Sequence, residues 1–175
     1  DAANEILRTE VLSRLEQKKP VTVVTYPEAL AEKVVSRKRL SDAMLTLKVG
    51  QQEDTVKLME TLSKYGFEHV DYVYEPGQFA LRGSILDVYS FASEYPYRID
   101  FFGDEIDSLR TFEVETQLSK EKKDSICIVP ELSGTEGADI CFLDFLDKDA
   151  TLWVKDLLWV RERIQAVHDE AVSPQ

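Results

Sequence analysis

Residues 96–110, PYRIDFFGDEIDSLR, place Arg98 and Arg110 on the two arms of a tight hairpin, among Tyr, Ile and Phe, in a chain of formal charge −12. A guanidinium is a planar fork of donors matched to carboxylate geometry, so each arginine has either an internal acid to pair with or an external one to receive. Strand alternation sets Tyr97, Ile99 and Phe101 on one face and Arg98, Asp100 and Phe102 on the other. The first set suits a core. Two accounts fit the second. Arg98 pairs with Asp100 or Asp107 while Phe102 covers part of the sheet, or arginine and aromatic together form the anchor of a protein-protein contact.

Other chemistries lack their constellations. The chain has no GxxxxGK[ST] phosphate loop, no GxSxG and no HExxH. Its two histidines, His69 at a strand start and His168 in a last helical turn, read as structural. No His/Cys set has ligand spacing, so neither metal nor other cofactor is expected. The acidic clusters DFLDKDA and GDEID read as solvated faces rather than acid/base pairs. A pI near 4.6 argues against a general phosphate-binding surface, which needs clustered Lys and Arg to displace counterions. Cys127 and Cys141 lie in apolar runs without a CxxC and read as buried thiols, with the cytoplasm as default compartment. No apolar run has the length of a membrane span, and the opening DAANEILRTE lacks an initiator Met and a signal-peptide pattern, as expected of an excised piece.

The elements that must position the arginines follow from periodicity. Ile6, Leu7, Val11, Leu12 and Leu15 share a helical face over residues 4–17, and PVTVVTY reads as a buried strand. Pro27 suits the first turn of a helix running through Leu30 and Val34 to SRKRL. A helix over 53–65 carries Val56, Met59 and Leu62 and ends at Gly66. The turn EPGQ is expected to join Val70–Tyr74 and Gln78–Arg82 as a hairpin, with GSILDVYSF as the next strand and Gly83 at a bulge or close approach. The Gly103-Asp104 loop then predicts Phe101 opposite Ile106, Ile99 opposite Ser108 and Tyr97 opposite Arg110. ETQLSKEKKD reads as a linker; beyond it SICIVPEL, ADICFLDFL and ATLWVKD precede a helix from Asp156 to about Ala171, with Trp153 and Trp159 expected in a core.

Two of these stretches carry a resemblance. YEPGQFALRGSILDV (74–88) and PYRIDFFGDEIDSLRTFEVETQLS (96–119) closely resemble the UvrB-homology module of the bacterial transcription-repair coupling factors, the Mfd family. The shared pattern is a Gly-x-Phe turn, an Arg-Gly at a strand end, an Asp shortly after, and Arg-(Ile/Leu)-(Asp/Glu)-Phe-Phe-x-(Asp/Glu)-Glu. The flanks LRTEVLSRL, VVTYPEALAEKV and SICIVPE resemble, more thinly, parts of RecA-like domains. Tyr89-Ser90 departs from the family's frequent Phe-Pro.

The resemblance implies an α/β fold: a partial RecA-like domain with an inserted α+β domain, built of an antiparallel sheet plus helix. It divides the chain into a domain 1a-like segment (1–45), a domain 2-like module (46–117) and a domain 1b-like return (118–175). It implies a module that binds UvrA through Arg82, Arg98 and Phe102, with Gly83 and Asp87 holding the strand conformation, and that recruits excision repair to stalled RNA polymerase. RNA polymerase and DNA would be met only by other regions of a parent that is a DNA translocase ATPase. The alternative is a fragment of the UvrB excinuclease subunit, or of a DNA-dependent ATPase that contributes to DNA contact.

Overall fold

The computed structural model of the chain describes residues 2–18, 20–132 and 138–172. Its elements begin with α1 (Ala2–Glu16), α2 (Pro27–Ala31), β1 (Lys33–Val35), α3 (Arg37–Ala43), β2 (Leu45–Lys48), α4 (Thr55–Lys64), β3 (Glu68–His69) and β4 (Gln78–Arg82). They continue with β5 (Ile85–Val88), β6 (Tyr97–Phe102), β7 (Glu105–Phe112), β8 (Ser119–Lys123), β9 (Ser125–Ile128), β10 (Ala138–Cys141), α5 (Phe142–Phe145) and α6 (Leu157–Val172). Helices mix with mostly antiparallel sheets, in agreement with an α/β class. The chain forms two compact units, Asp1–Ser13 with Ser41–Glu131 and Arg14–Leu40 with Leu132–Gln175.

In the first unit a six-stranded sheet runs in the order β3-β4-β5-β6-β7-β8, antiparallel except at β3-β4. One face is apolar because alternate residues of its strands are Phe79, Leu86, Val88, Ile99, Phe101, Ile106 and Leu109, all buried. Against them lie Leu58 and Leu62 of α4 and Leu47, Ile126 and Ile128 of the β2-β9 pair. Each such side chain stabilises the fold by about 1.5–3 kcal/mol. Helix α4 starts where Asp54 Oδ1 accepts the N–H groups of Val56 and Lys57, at 3.0 and 3.2 Å. It ends before Gly66, whose φ of +83° closes the turn. Its buried pair is Leu58 and Leu62, one helical turn apart; Val56 is exposed and Met59 only partly packed.

Three expectations for this sheet are corrected. Ile99 stands opposite Leu109 and Tyr97 opposite Thr111, while Phe101 does face Ile106. The cause is a bulge beside Asp100, where β7 carries Asp107 as an extra residue and every later pair slips by one. The hairpin of 70–74 with 78–82 does not form. Instead β3 pairs with β4 in parallel, Glu68 beside Gln78, and the intervening chain leaves the sheet to bury Val73 against Ala80 and Phe112 on its other face. The Gln78 side-chain oxygen accepts the N–H groups of Tyr74 and Glu75, which a strand partner would otherwise satisfy. Gly77 is required there: at φ +86°, a Cβ would stand 2.6 Å from the Phe91 ring. Lastly, residues 119–123 of the expected linker are strand β8, a charged edge paired with β7.

In the second unit β1 pairs with β10, Val34 opposite Ile140, and α2 packs against α6, where Arg163 Nε donates to Glu28 at 2.7 Å. Residues 20–26 form no strand and Val24 is exposed. No strand among the described residues pairs with PVTVVTY, and β-branched density alone does not make a strand. The expected helix from Pro27 stops at Ala31; Val34 belongs to β1, and the basic run opens α3 rather than closing a helix. Trp153 is 92% exposed and Trp159 is exposed too, contrary to a core placement. Residues 151–154 join no sheet. Cys127 and Cys141 are half-buried and in no disulfide, rather than fully buried. Among the described residues no helix is long and apolar enough to cross a membrane.

Candidate protein-interaction face

The face of the sheet opposite α4 is built around Asp87. This residue lies in β5, between Ala80 of β4 and Arg98 of β6, and is completely buried. A lone carboxylate there would carry a penalty of several kcal/mol. Two arginines remove it. Arg98 grips Asp87 with both arms of its fork, Nε to Oδ1 at 2.7 Å and Nη2 to Oδ2 at 2.8 Å. Arg82, at the end of β4, donates from Nη2 to the same Oδ2 at 2.6 Å. One carboxylate shared by two guanidinium groups leaves a local charge of about +1. The hydrogen bond to Asp87 holds the Arg98 pKa above the usual arginine value.

Both arginines also tie down loops. Arg98 Nη1 donates to the Gln117 carbonyl and Nη2 to its Oε1, each at 3.1 Å, while its Cζ lies 4.2 Å above the Phe112 ring. Gln117 has a left-handed φ of +59°, unusual for a residue with a side chain. Its backbone N–H and its Nε2 donate to the Glu113 and Val114 carbonyls, fixing the turn between β7 and β8. Arg82 Nη1 donates to the Asp71 carbonyl at 3.1 Å and its guanidinium stacks on Tyr72. The cluster is therefore a clamp joining β4, β5 and β6 to the loops that flank them.

Arg82 and Arg98 meet on one carboxylate, a contact that the sequence pattern did not state. Asp100 and Asp107 do not hold Arg98. Asp87 does, because strand register puts it directly opposite, and the Arg98 side chain is only 12% exposed as a result. Phe102 stays outside this cluster and is 83% exposed. It lies four residues from Arg98 on the same face of β6, about 13 Å along the strand. Gly83 makes neither bulge nor close approach. It opens the Gly83-Ser84 turn with φ +62°, and a Cβ there would meet nothing within 4 Å. Sequence reasoning missed Gln117, Phe112 and Tyr72. The β5-β6 pairing would have signalled the Asp87–Arg98 contact, whereas Gln117 and Tyr72 are brought in by loops whose course the sequence does not mark. No group of three or more metal-ligating side chains occurs among the described residues. Exposed aromatics such as Phe102, and arginines, are enriched in protein-protein interfaces.

Residues 45–133, just over half of the chain, match the family model of the UvrB interaction domain. The match spans the sheet, the clamp and Phe102. Over 123 residues the chain is 37% identical to the transcription-repair-coupling factor of Escherichia coli and 33% identical to that of Bacillus subtilis. Both matches cover 70% of the chain and 11% and 10% of those relatives, so the chain spans about a tenth of their length.

Proposed function

Because the chain belongs to the UvrB interaction domain family, we propose that it is a docking module for UvrA within a transcription-repair coupling factor. The module brings nucleotide-excision repair to a stalled RNA polymerase and makes or breaks no bond itself. The observation that carries this reading is the family match over 45–133, which contains the Arg82-Asp87-Arg98 clamp and the exposed Phe102. Phe102 supplies apolar contact area, and the outer edges of Arg82 and Arg98 meet partner carboxylates. Asp87 and Gly83 shape that surface from within.

Around this docking module the flanks, near 1–45 and 118–175, are parts of RecA-like domains 1a and 1b of a parent that works as a DNA-translocating ATPase in the cytoplasm. RNA polymerase and DNA are contacted by other regions of that parent. The test is titration of the purified chain with UvrA at low and high salt. Saturable binding that weakens when Phe102 is truncated is expected; a folded chain that does not bind UvrA overturns the proposal. Nucleotide should leave the melting temperature unchanged, and a rise of several degrees would instead favour the ATPase fragment.

A further inference from the structure

The tip of the β6-β7 hairpin runs past the rest of its sheet. β5 lies beside β6 only as far as the Ile85–Asp100 pair and a last bond from the Phe101 N–H to the Ser84 carbonyl at 2.9 Å. β8 joins β7 from Leu109 onward. Residues 102–106 therefore leave both neighbours behind as a two-stranded ribbon, which by itself is only marginally ordered in water. The exposed Phe102 ring is carried on that ribbon.

One segment braces it. Between β2 and α4 the chain runs antiparallel along the edge of β7 at the tip, Gln52 beside Glu105. The Gly50 N–H donates to the Ile106 carbonyl at 2.8 Å, the Ile106 N–H to the Gln51 carbonyl at 2.9 Å, and the Glu53 N–H to the Asp104 carbonyl at 2.7 Å. Its two ends are anchored, one by the pairing of β2 with β9 and the other by the Asp54 cap of α4. The half-buried Gln51 side chain holds the segment in shape: Oε1 accepts the Lys48 N–H at 3.1 Å and Nε2 donates to Glu53 Oε2 at 2.9 Å.

We propose that Gln51 is a positioning residue for docking: it keeps the 50–53 brace on the hairpin tip, so that Phe102 is presented already ordered. This rests on the docking function proposed above and adds to it a residue that acts without touching the partner. Holding an anchor in its bound geometry removes an ordering cost from association. Loosening the brace weakens binding through Phe102, while the row Leu86, Ile99 and Leu109 keeps the fold together.

The experiment is a double-mutant cycle read by titration with purified UvrA. It uses wild type, Gln51→Ala, Phe102→Ala and the two combined, each also melted and followed by amide hydrogen exchange. Gln51→Ala is expected to bind about fivefold more weakly, the scale of one hydrogen bond, with a melting temperature lowered by about 4 °C or less. The Ile106 and Glu53 amides should exchange about fivefold faster. In the Phe102→Ala background the same substitution should change affinity by less than about twofold, because the side chain it positions is gone. The reciprocal exchange Gln51→Glu with Glu53→Gln rebuilds both side-chain bonds with the amide now at position 53, and should bind within about twofold of wild type. If Gln51→Ala binds as wild type does, if its loss persists in full without the Phe102 ring, or if the reciprocal exchange restores the melting temperature but not the affinity, this inference falls and the docking function stands. Phe102→Ala binding as tightly as wild type overturns it as well, since the brace then has no contact to position. Failure of folded wild type to bind UvrA overturns both.

Discussion

The two faces of the six-stranded sheet solve burial differently. On one, Leu86, Ile99 and Leu109 stand in a row against α4 and the β2-β9 pair, and any apolar side chain of similar volume would serve. On the other, the same three strands carry Asp87, Arg98 and Arg110, where geometry has to be right because a misplaced charge is expensive. The apolar face supplies stability; the charged face converts part of it into a defined surface. Ile99 and Arg98, adjacent in sequence, are therefore predicted to fail in different ways.

The largest effect should come from Asp87→Ala. It leaves two guanidinium groups without their shared acid, and a loss of about 3–5 kcal/mol is expected, read as a shift in the urea midpoint at unchanged slope. Stability within about 0.5 kcal/mol of wild type would mean that the clamp is dispensable and that the faces do not differ in this way. Next comes Ile99→Ala, at about 3 kcal/mol, with the affinity of the folded fraction for UvrA unaltered. Arg98→Ala should cost about 2 kcal/mol, less than loss of Asp87 because Arg82 still pairs with that carboxylate. Unlike Ile99→Ala it should also weaken UvrA binding, because the Gln117 turn is released. Phe102→Ala should leave stability within about 0.5 kcal/mol while lowering affinity about tenfold. A melting temperature that drops with Phe102→Ala but not with Arg98→Ala would reverse the roles assigned here.

How far the sequence revealed these two faces depends on which interactions are local. Period-2 alternation marks Ile99 and Phe101 as core, because burial of one face imposes it on every strand. The Gly103-Asp104 loop marks a hairpin, yet the bulge at Asp107 has no sequence signature and shifts the register by one beyond it. Residues 70–74 alternate like a strand, and only the packing of Val73 on Ala80 and Phe112 reveals that they cross to the other face. The motif pointed to Arg82, Arg98 and Asp87 without saying that they touch. That link depends on the pairing of β5 with β6 across a loop of irregular chain. Trp153 and Trp159 show the converse limit, since an apolar run specifies a need for cover and not its presence.

The smallest effect separates the faces by titration. Tyr97 packs on the apolar cluster and Tyr89 on the small cluster of the charged face, and burial raises the hydroxyl pKa of both. For Tyr89 the negative charge of Glu94 adds to the rise, and its hydroxyl donates to the Glu94 carbonyl at 2.7 Å. A tyrosine whose folded pKa lies above its unfolded value keeps its full contribution below the unfolded pKa. That contribution is then lost as pH rises through the folded value, because the unfolded chain releases the proton first. Stability should therefore fall above about pH 10, and Tyr97→Phe should flatten part of the fall. Tyr89→Phe should flatten it too, but from a lower start, having lost a hydrogen bond that contributes about 1 kcal/mol at neutral pH. Urea unfolding of wild type and both variants at pH 8 and pH 10.5 reads the difference. An alkaline fall that neither variant reduces would place its source in other groups and show that burial on these two faces leaves the tyrosines alike in the folded and unfolded chain.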